Sequence, residues 1–192
     1  MVTTAQTLLE TPPGFRSETI ARFLWQLDEQ RRVLIKDTRG LSAKELEWQP
    51  APGMNSIGML LAHIAYAENH LAQVGLEGKP TSDTRAAIGI SEEEEGLPLA
   101  EGAPPSPALA GRELAWFDAL LERARAYTRG VATTLVEGDL AREVRRKRPD
   151  GSERVFNVGW VLYHMLEHEA GHHGQINLLR HLQQLGRGTG AR

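Results

Sequence analysis

The sequence predicts an all-α protein: a four-helix bundle with a long crossover between its second and third helices and a small hairpin before the last. Three observations predict it. Apolar residues recur at spacings of three and four in four separate segments. Residues 76–107, rich in proline, glycine and acid, divide the second segment from the third. A short basic stretch broken by Pro149-Asp150-Gly151 precedes the fourth. At 192 residues, 41% of them hydrophobic, the chain suits a single domain over residues 1–192 with its core over about 17–185.

The elements follow in order. Residues 1–16 read as an arm ending in Pro12-Pro13-Gly14. Ser17 can cap a first helix with Glu18 in its first turn; Ile20, Phe23, Leu24, Leu27, Leu34 and Ile35 form its stripe, and it ends near Gly40. A connector runs from Leu41 to Met54. Asn55 or Ser56 then caps a second helix, striped by Ile57, Leu60, Leu61, Ile64, Ala67, Leu71 and Val74 and stopped by Gly75. Residues 76–107 read as loop. Thirty residues are enough to return along a helix of ~30 Å, which suits parallel second and third helices; a disordered insertion in an up-down-up-down bundle is the alternative. Ser106-Pro107 signals the third helix, striped by Phe117, Leu121, Ala124, Thr128, Val131 and Leu135 and interrupted by Gly130. Asn157 caps the last helix, which runs to about Leu185 before Gly186, Gly188 and Gly190.

Composition excludes several classes. There is no cysteine, hence no disulfide, no thiolate metal site and no cysteine nucleophile. A formal charge of −3 is unsuited to binding nucleic acid through its phosphates. No apolar run approaches the ~18–20 residues of a membrane span, and the N-terminus lacks a basic start and an apolar signal core. A cytoplasmic protein with no membrane or nucleic-acid partner is expected.

Five of the seven histidines fall in the last helix. Its core seam reads Val158, Val161, Met165, His168, His172, Gln175, Leu179, Leu182, so the middle of an apolar seam is polar. Buried imidazoles need partners, because an unpaired polar group costs roughly 1–3 kcal/mol. His168 and His172 lie one turn apart on one face and can converge on one metal ion. A third ligand should come from a facing helix, and His63 is the one polar side chain in the run Ile57 to Ala65. Three histidines with open positions would make a reactive divalent-metal site. A satisfied core histidine at 63 and an incidental surface pair at 168 and 172 are the bland readings.

Around this set, His164 extends the column by one turn, and His70 lies two turns from His63. Glu167 or Glu169 could orient a ring nitrogen, with Glu169 the better candidate for an ordinary exposed carboxylate. Gln175 could bond a ligand or pack as an amide. Tyr66, one turn from His63, could carry a proton or merely pack. His173 and His181 are expected in solvent. The hairpin carries Arg142, Arg145, Arg146, Lys147, Arg148 and Arg154, either a solvated strand pair or a rim that attracts an anion.

The stretch Ser56-Ile-Gly-Met-Leu-Leu-Ala-His63-Ile-Ala-Tyr-Ala-Glu68, the lead-in Leu46-Glu-Trp48-Gln-Pro50-Ala-Pro52-Gly53, and His164-Met-Leu-Glu-His168-Glu-Ala-Gly-His172-His-Gly174-Gln175-Ile176 resemble the DinB/YfiT-like family over about residues 17–185. The resemblance implies an up-down-down-up bundle, a divalent metal (commonly zinc or nickel) on His63, His168 and His172, and a homodimer. Relatives include thiol-dependent S-transferases, a thiol-dependent isomerase and putative metal-dependent hydrolases. Family members often have arginine where His173 stands. Two functions are therefore expected to compete. One is a metal-dependent enzyme acting on a small molecule, a low-molecular-weight-thiol S-transferase or a hydrolase, with Glu167, Gln175, His164 and Tyr66 as catalytic candidates. The other is a non-catalytic metal-binding or stress-response bundle. With no cysteine in the chain, any sulfur must arrive with a thiol cosubstrate.

Overall fold

The computed structural model describes residues 8–79, 84–96, 106–147 and 150–189. The first seven residues of the arm, Arg148 and Pro149 of the hairpin turn, and Gly190 lie outside the described residues.

Helix α1 spans Glu18–Thr38 because Ser17 accepts a hydrogen bond from the Ile20 amide at 3.1 Å and Gly40, at φ +79°, turns the chain out of it. A short α2, Ala43–Glu47, carries a capping box between Ser42 and Glu45. Ser56, not Asn55, caps α3, Ile57–His70, which continues as a π-helical turn over Leu71–Leu76. Gly75 sits inside that turn rather than ending it. A Cβ there would lie 2.7 Å from both Val161 methyls, so the glycine permits close approach to the last helix.

The crossover is more than loop. It holds α4, Thr84–Ile88, and a 3₁₀ turn over Glu92–Glu94. Ile88, Ile90 and Leu109 sink into the core, Asn69 donates to the Thr84 carbonyl at 2.8 Å, and Arg85 pairs with the buried carboxylate of Glu95. Ser106-Pro107 starts only a 3₁₀ turn, Pro107–Leu109; Gly111 at φ +68° redirects the chain, and α5 spans Leu114–Ala132 with Gly130 inside it. Strands β1, Glu143–Lys147, and β2, Glu153–Asn157, pair antiparallel with Val144 opposite Phe156 and Arg146 opposite Arg154. Asn157 then accepts from the Trp160 amide at 2.8 Å and opens α6, Val158–Thr189. The protein is thus mostly helical with one small hairpin, as its periodicity indicates.

The apolar core falls into two clusters. One gathers Leu34, Leu60, Leu61, Phe117, Leu120 and Ile176; the other Leu24, Leu27, Leu76, Val131, Val161 and Met165. Between them lies an ionic layer to which each long helix contributes one side chain: Arg31 of α1, Glu68 of α3, Arg125 of α5 and Glu169 of α6, all 6% exposed or less. Arg31 meets Glu169 at 2.8 Å and Glu68 at 2.7 Å; Arg125 meets Glu68 at 2.7 Å and Glu169 at 3.0 Å. Arg31 also donates to the Leu121 carbonyl, and Arg125 to Asp28. Burial alone would raise the Glu68 carboxyl, but the charges of Arg125 and Arg31 outweigh it and hold it well below the usual carboxylate range. Glu169 is therefore not the exposed carboxylate its sequence setting suggests.

Other helix contacts fix neighbours. Gly58 lies against Phe117 and Glu68 against Arg125 along α3 and α5, whereas His63 meets His168 and Gly75 meets Val161 along α3 and α6. The latter two helices run in opposite directions.

Removing one arginine of the layer leaves two buried carboxylates sharing the other. Arg125→Met should lower the unfolding free energy by about 3–5 kcal/mol in urea denaturation. The docked crossover gives a second expectation. Gly96, at φ +64°, would place a Cβ 2.1 Å from the Met59 carbonyl oxygen, while Gly89, at φ +69°, has nothing within 4 Å. Gly89→Ala should cost only the left-handed backbone penalty, about 1–2 kcal/mol; Gly96→Ala should lower the thermal midpoint distinctly further.

Candidate metal centre

His63 is carried at the middle of α3 within its apolar run, and His168 and His172 stand one turn apart on α6. Their rings meet between the two helices. The Nε2 atom of His168 lies 3.2 Å from Nε2 of His63 and 3.2 Å from Nε2 of His172. One ligand atom from each ring lies within 4.8 Å of the other two. Three nitrogens held at 2.0–2.1 Å by one tetrahedral ion would be spaced roughly 3.3 Å apart, so the donor set fits a single divalent cation. The residue types agree, since neutral imidazole suits zinc and nickel.

The rings are poised in the form a metal needs. Burial, reinforced by the nearby charge of His172, pushes His63 down to about 4. Burial, with the charges of His172, His63 and His164, pushes His168 down to about 3. Both are neutral at pH 7 and offer lone pairs rather than protons. On His172, Nδ1 donates to the Gln175 side-chain oxygen at 2.8 Å, which leaves Nε2 as the lone-pair nitrogen. His63 Nδ1 is buried without a partner, so that ring is oriented by packing.

The remaining candidates divide. Gln175 reaches the site through His172. His164 is half-buried, stacked on Trp160 with centroids 4.5 Å apart and 5.9 Å from the His168 ring. Exposed Glu167 lies 3.7 Å from His164, too far for a hydrogen bond, and it does not orient His168. Nor does Glu169, which turns to the arginines. Tyr66 stacks on His70 at 5.9 Å; burial, then the charge of Glu95, raises its hydroxyl pKa and keeps it protonated. His70 is pushed down by burial and by the charge of Arg146, and its Nδ1 is buried and unpartnered.

His173 departs from expectation. It is 8% exposed rather than solvated, with Nδ1 3.0 Å from the Gln30 side chain and Nε2 2.9 Å from Asp37. It faces α1, away from the three-histidine cluster, and ties α6 to α1. His181 is exposed as expected. Sequence reasoning passed over Arg31, Glu68 and Arg125, which brace the helices, and Trp160, on which His164 rests. An arginine interrupting the apolar stripe between Leu27 and Leu34 was the available signal.

With this geometry in view, the relationships are informative. The DinB superfamily profile matches residues 26–176, and the chain belongs to the DinB superfamily. Its fold is similar to that of a conserved protein from Enterococcus faecalis seen in a crystal structure, with a TM-score of 0.60 and 15% sequence identity over 83% of this chain and 94% of that one. At that identity the likeness concerns the fold alone. No curated protein matches the chain.

The lowered histidines give a pH dependence. Below the ordinary histidine value of 6.5 the unfolded chain takes up protons that folded His63 and His168 refuse until about 4 and about 3. Stability of the metal-free protein should be fully present above pH 6.5 and decline as pH falls toward 4. Urea midpoints measured in chelator should trace that decline, and His168→Leu should flatten it.

Proposed function

We propose that this chain is a metal-dependent enzyme acting on a small molecule. In this reading His63, His168 and His172 hold one divalent cation, zinc or nickel, and the reaction transfers a low-molecular-weight thiol to an electrophile, with hydrolysis as the related alternative. The observation that carries the reading is the convergence of three imidazole Nε2 atoms, two of them on rings held neutral by burial. A divalent cation bound there supplies Lewis acidity, bringing a thiol or water to the reactive anion near neutral pH.

The chain's own groups supply the rest. Gln175 fixes the His172 tautomer by accepting its Nδ1 proton. The apolar run of α3 walls the His63 side, with Leu60 and Ile64 buried beside it. Tyr66 keeps its hydroxyl proton at neutral pH and is suited to donate it to a leaving group. His164, stacked between Trp160 and His168, is a further catalytic candidate, with exposed Glu167 beyond it toward solvent. The chain has no cysteine, so the thiol is a separate cosubstrate.

The same reading covers the architecture. The helix contacts support an up-down-down-up order within one domain over residues 1–192, and the enzyme is proposed to be a cytoplasmic homodimer. A non-catalytic DinB-type metal-binding bundle is the competing outcome.

Elemental analysis should find one zinc or nickel per chain, lost in His168→Ala. The loaded protein should consume a low-molecular-weight thiol in the presence of an electrophilic reporter. Tyr66→Phe should slow that consumption on the order of a hundredfold with metal content unchanged. Stoichiometric metal with no thiol consumption and no hydrolysis would favour the non-catalytic bundle.

A further inference from the structure

The hairpin presents two different faces. On the outer face Arg145 is neutralised by Glu143 at 2.8 Å and Glu153 at 3.0 Å. Side chains alternate along a strand, so Arg146 and Arg154 share the other face with Val144 and Phe156, which turn toward the bundle. Arg146 and Arg154 are register partners directly across the ladder. Like charges so placed repel. Neither makes an ion pair or a side-chain hydrogen bond among the described residues.

Arg154 is nonetheless positioned. The Arg154 guanidinium lies 4.5 Å from the Trp160 ring centroid and 5.8 Å from that of Phe156. Stacking uses the face of the guanidinium and leaves its edge N–H donors free for a planar oxyanion. Arg146 lines a cleft of about 580 Å³ between the π turn and β1, together with Lys79, Arg142, Lys147 and the paired Glu143 and Arg145.

One row of rings joins Arg154 to the histidine cluster, and a ring pair on α3 lies toward the same end. On α6 the row runs from His168 through His164 to Trp160 and then to Arg154. On α3 Tyr66 stacks on His70, and the charge of Arg146 reaches both. Because α3 and α6 run in opposite directions, the row and the pair lie toward the same end of the bundle. The buried Nδ1 atoms of His70 and His164 are unpartnered along that path. From His168 to Trp160 a helix rises about 12 Å, the length of a small molecule.

We propose that Arg146 and Arg154 form an oxyanion subsite at the end of the bundle to which the α6 rings lead from the three histidines, so that the small molecule handled there is acidic, with a carboxylate or phosphate remote from its reacting end by at least the ~12 Å rise of α6 from His168 to Trp160. The proposal rests on the metal-site reading for the reacting end of the molecule, but not for the anion subsite itself. An anion between the arginines would relieve their repulsion and complete their empty donor sets.

The test uses nickel-loaded protein and the thiolate charge-transfer band, titrated with 8-mercaptooctanoate and with the uncharged 8-mercapto-1-octanol. Wild type should bind the acid at least tenfold more tightly. Arg146→Gln combined with Arg154→Gln should abolish that preference while leaving alcohol affinity, nickel content and thermal midpoint unchanged. Equal affinities in wild type, or a preference that survives the double substitution, would overturn the proposal. A protein that retains no nickel defeats the metal reading instead. Calorimetric titration of the metal-free chain with glutarate and with inorganic phosphate then decides the subsite. Binding lost in the double variant supports it and indicates which oxyanion is preferred; absence of binding to both, or binding unaffected by the substitutions, overturns it.

Discussion

The structure depends on an ionic layer that no single helix could afford alone. Arg31, Glu68, Arg125 and Glu169 are buried, and each belongs to a different long helix. Taking four charges out of water is costly, and a packed apolar layer of the same volume can be as stable. What hydrophobic contacts do not supply is an axial position. A slide of one residue along a helix is about 1.5 Å, enough to spoil hydrogen bonds of 2.7–3.0 Å to two partners at once. The layer therefore acts as a register pin. Glu169 follows His168 directly, so pinning α6 through the carboxylate also fixes the height of the imidazole opposite His63.

Gly75 and the docked crossover act at the two ends of that arrangement. Gly75 lets the π turn lie against Val161, which brings the end of α3 close to the start of α6. Gly96 lies against the Met59 carbonyl and the His63 amide, so the crossover backs the turn of α3 that carries the histidine. The long connection thus buttresses the site from behind, and its burial of Ile88 and Ile90 explains why so polar a stretch folds onto the bundle.

The bundle and its three histidines were legible because both rest on helical period. Apolar spacing marked the four long helices, and His63, His168 and His172 each broke an apolar stripe where a facing helix had to answer. Glu169 and His173 were misread for a related reason. The apolar seam of α6 marks one face centred on His168, yet residue 169 is turned about 100° from it. That direction is also interior, because α1 packs there through Arg31, Asp37 and Gln30. A helix packed on two sides buries two stripes, and the second was written in charged and polar letters that periodicity scores as surface. The crossover was misread because composition records its acids and prolines but not that Glu95 would be buried against Arg85.

The candidate chemistry and the candidate recognition sit on elements of unlike rigidity. The histidines stand on long helices whose positions are fixed by the core and the ionic layer. The arginine pair stands on a two-stranded ribbon, a structure of marginal stability by itself. The ribbon is anchored by Val144 and Phe156 on its inner face, and by Asn157, which is at once the last residue of β2 and the cap of α6. Asn157 makes the start of the histidine-bearing helix and the end of the basic strand a single covalent joint. The hairpin's inner face can therefore vary in charge without disturbing the helices that hold the histidines, while its base remains fixed in position relative to them. On the proposed reading, such a division would let one bundle keep its metal centre while exchange of residues 146 and 154 changed the anion it accepts.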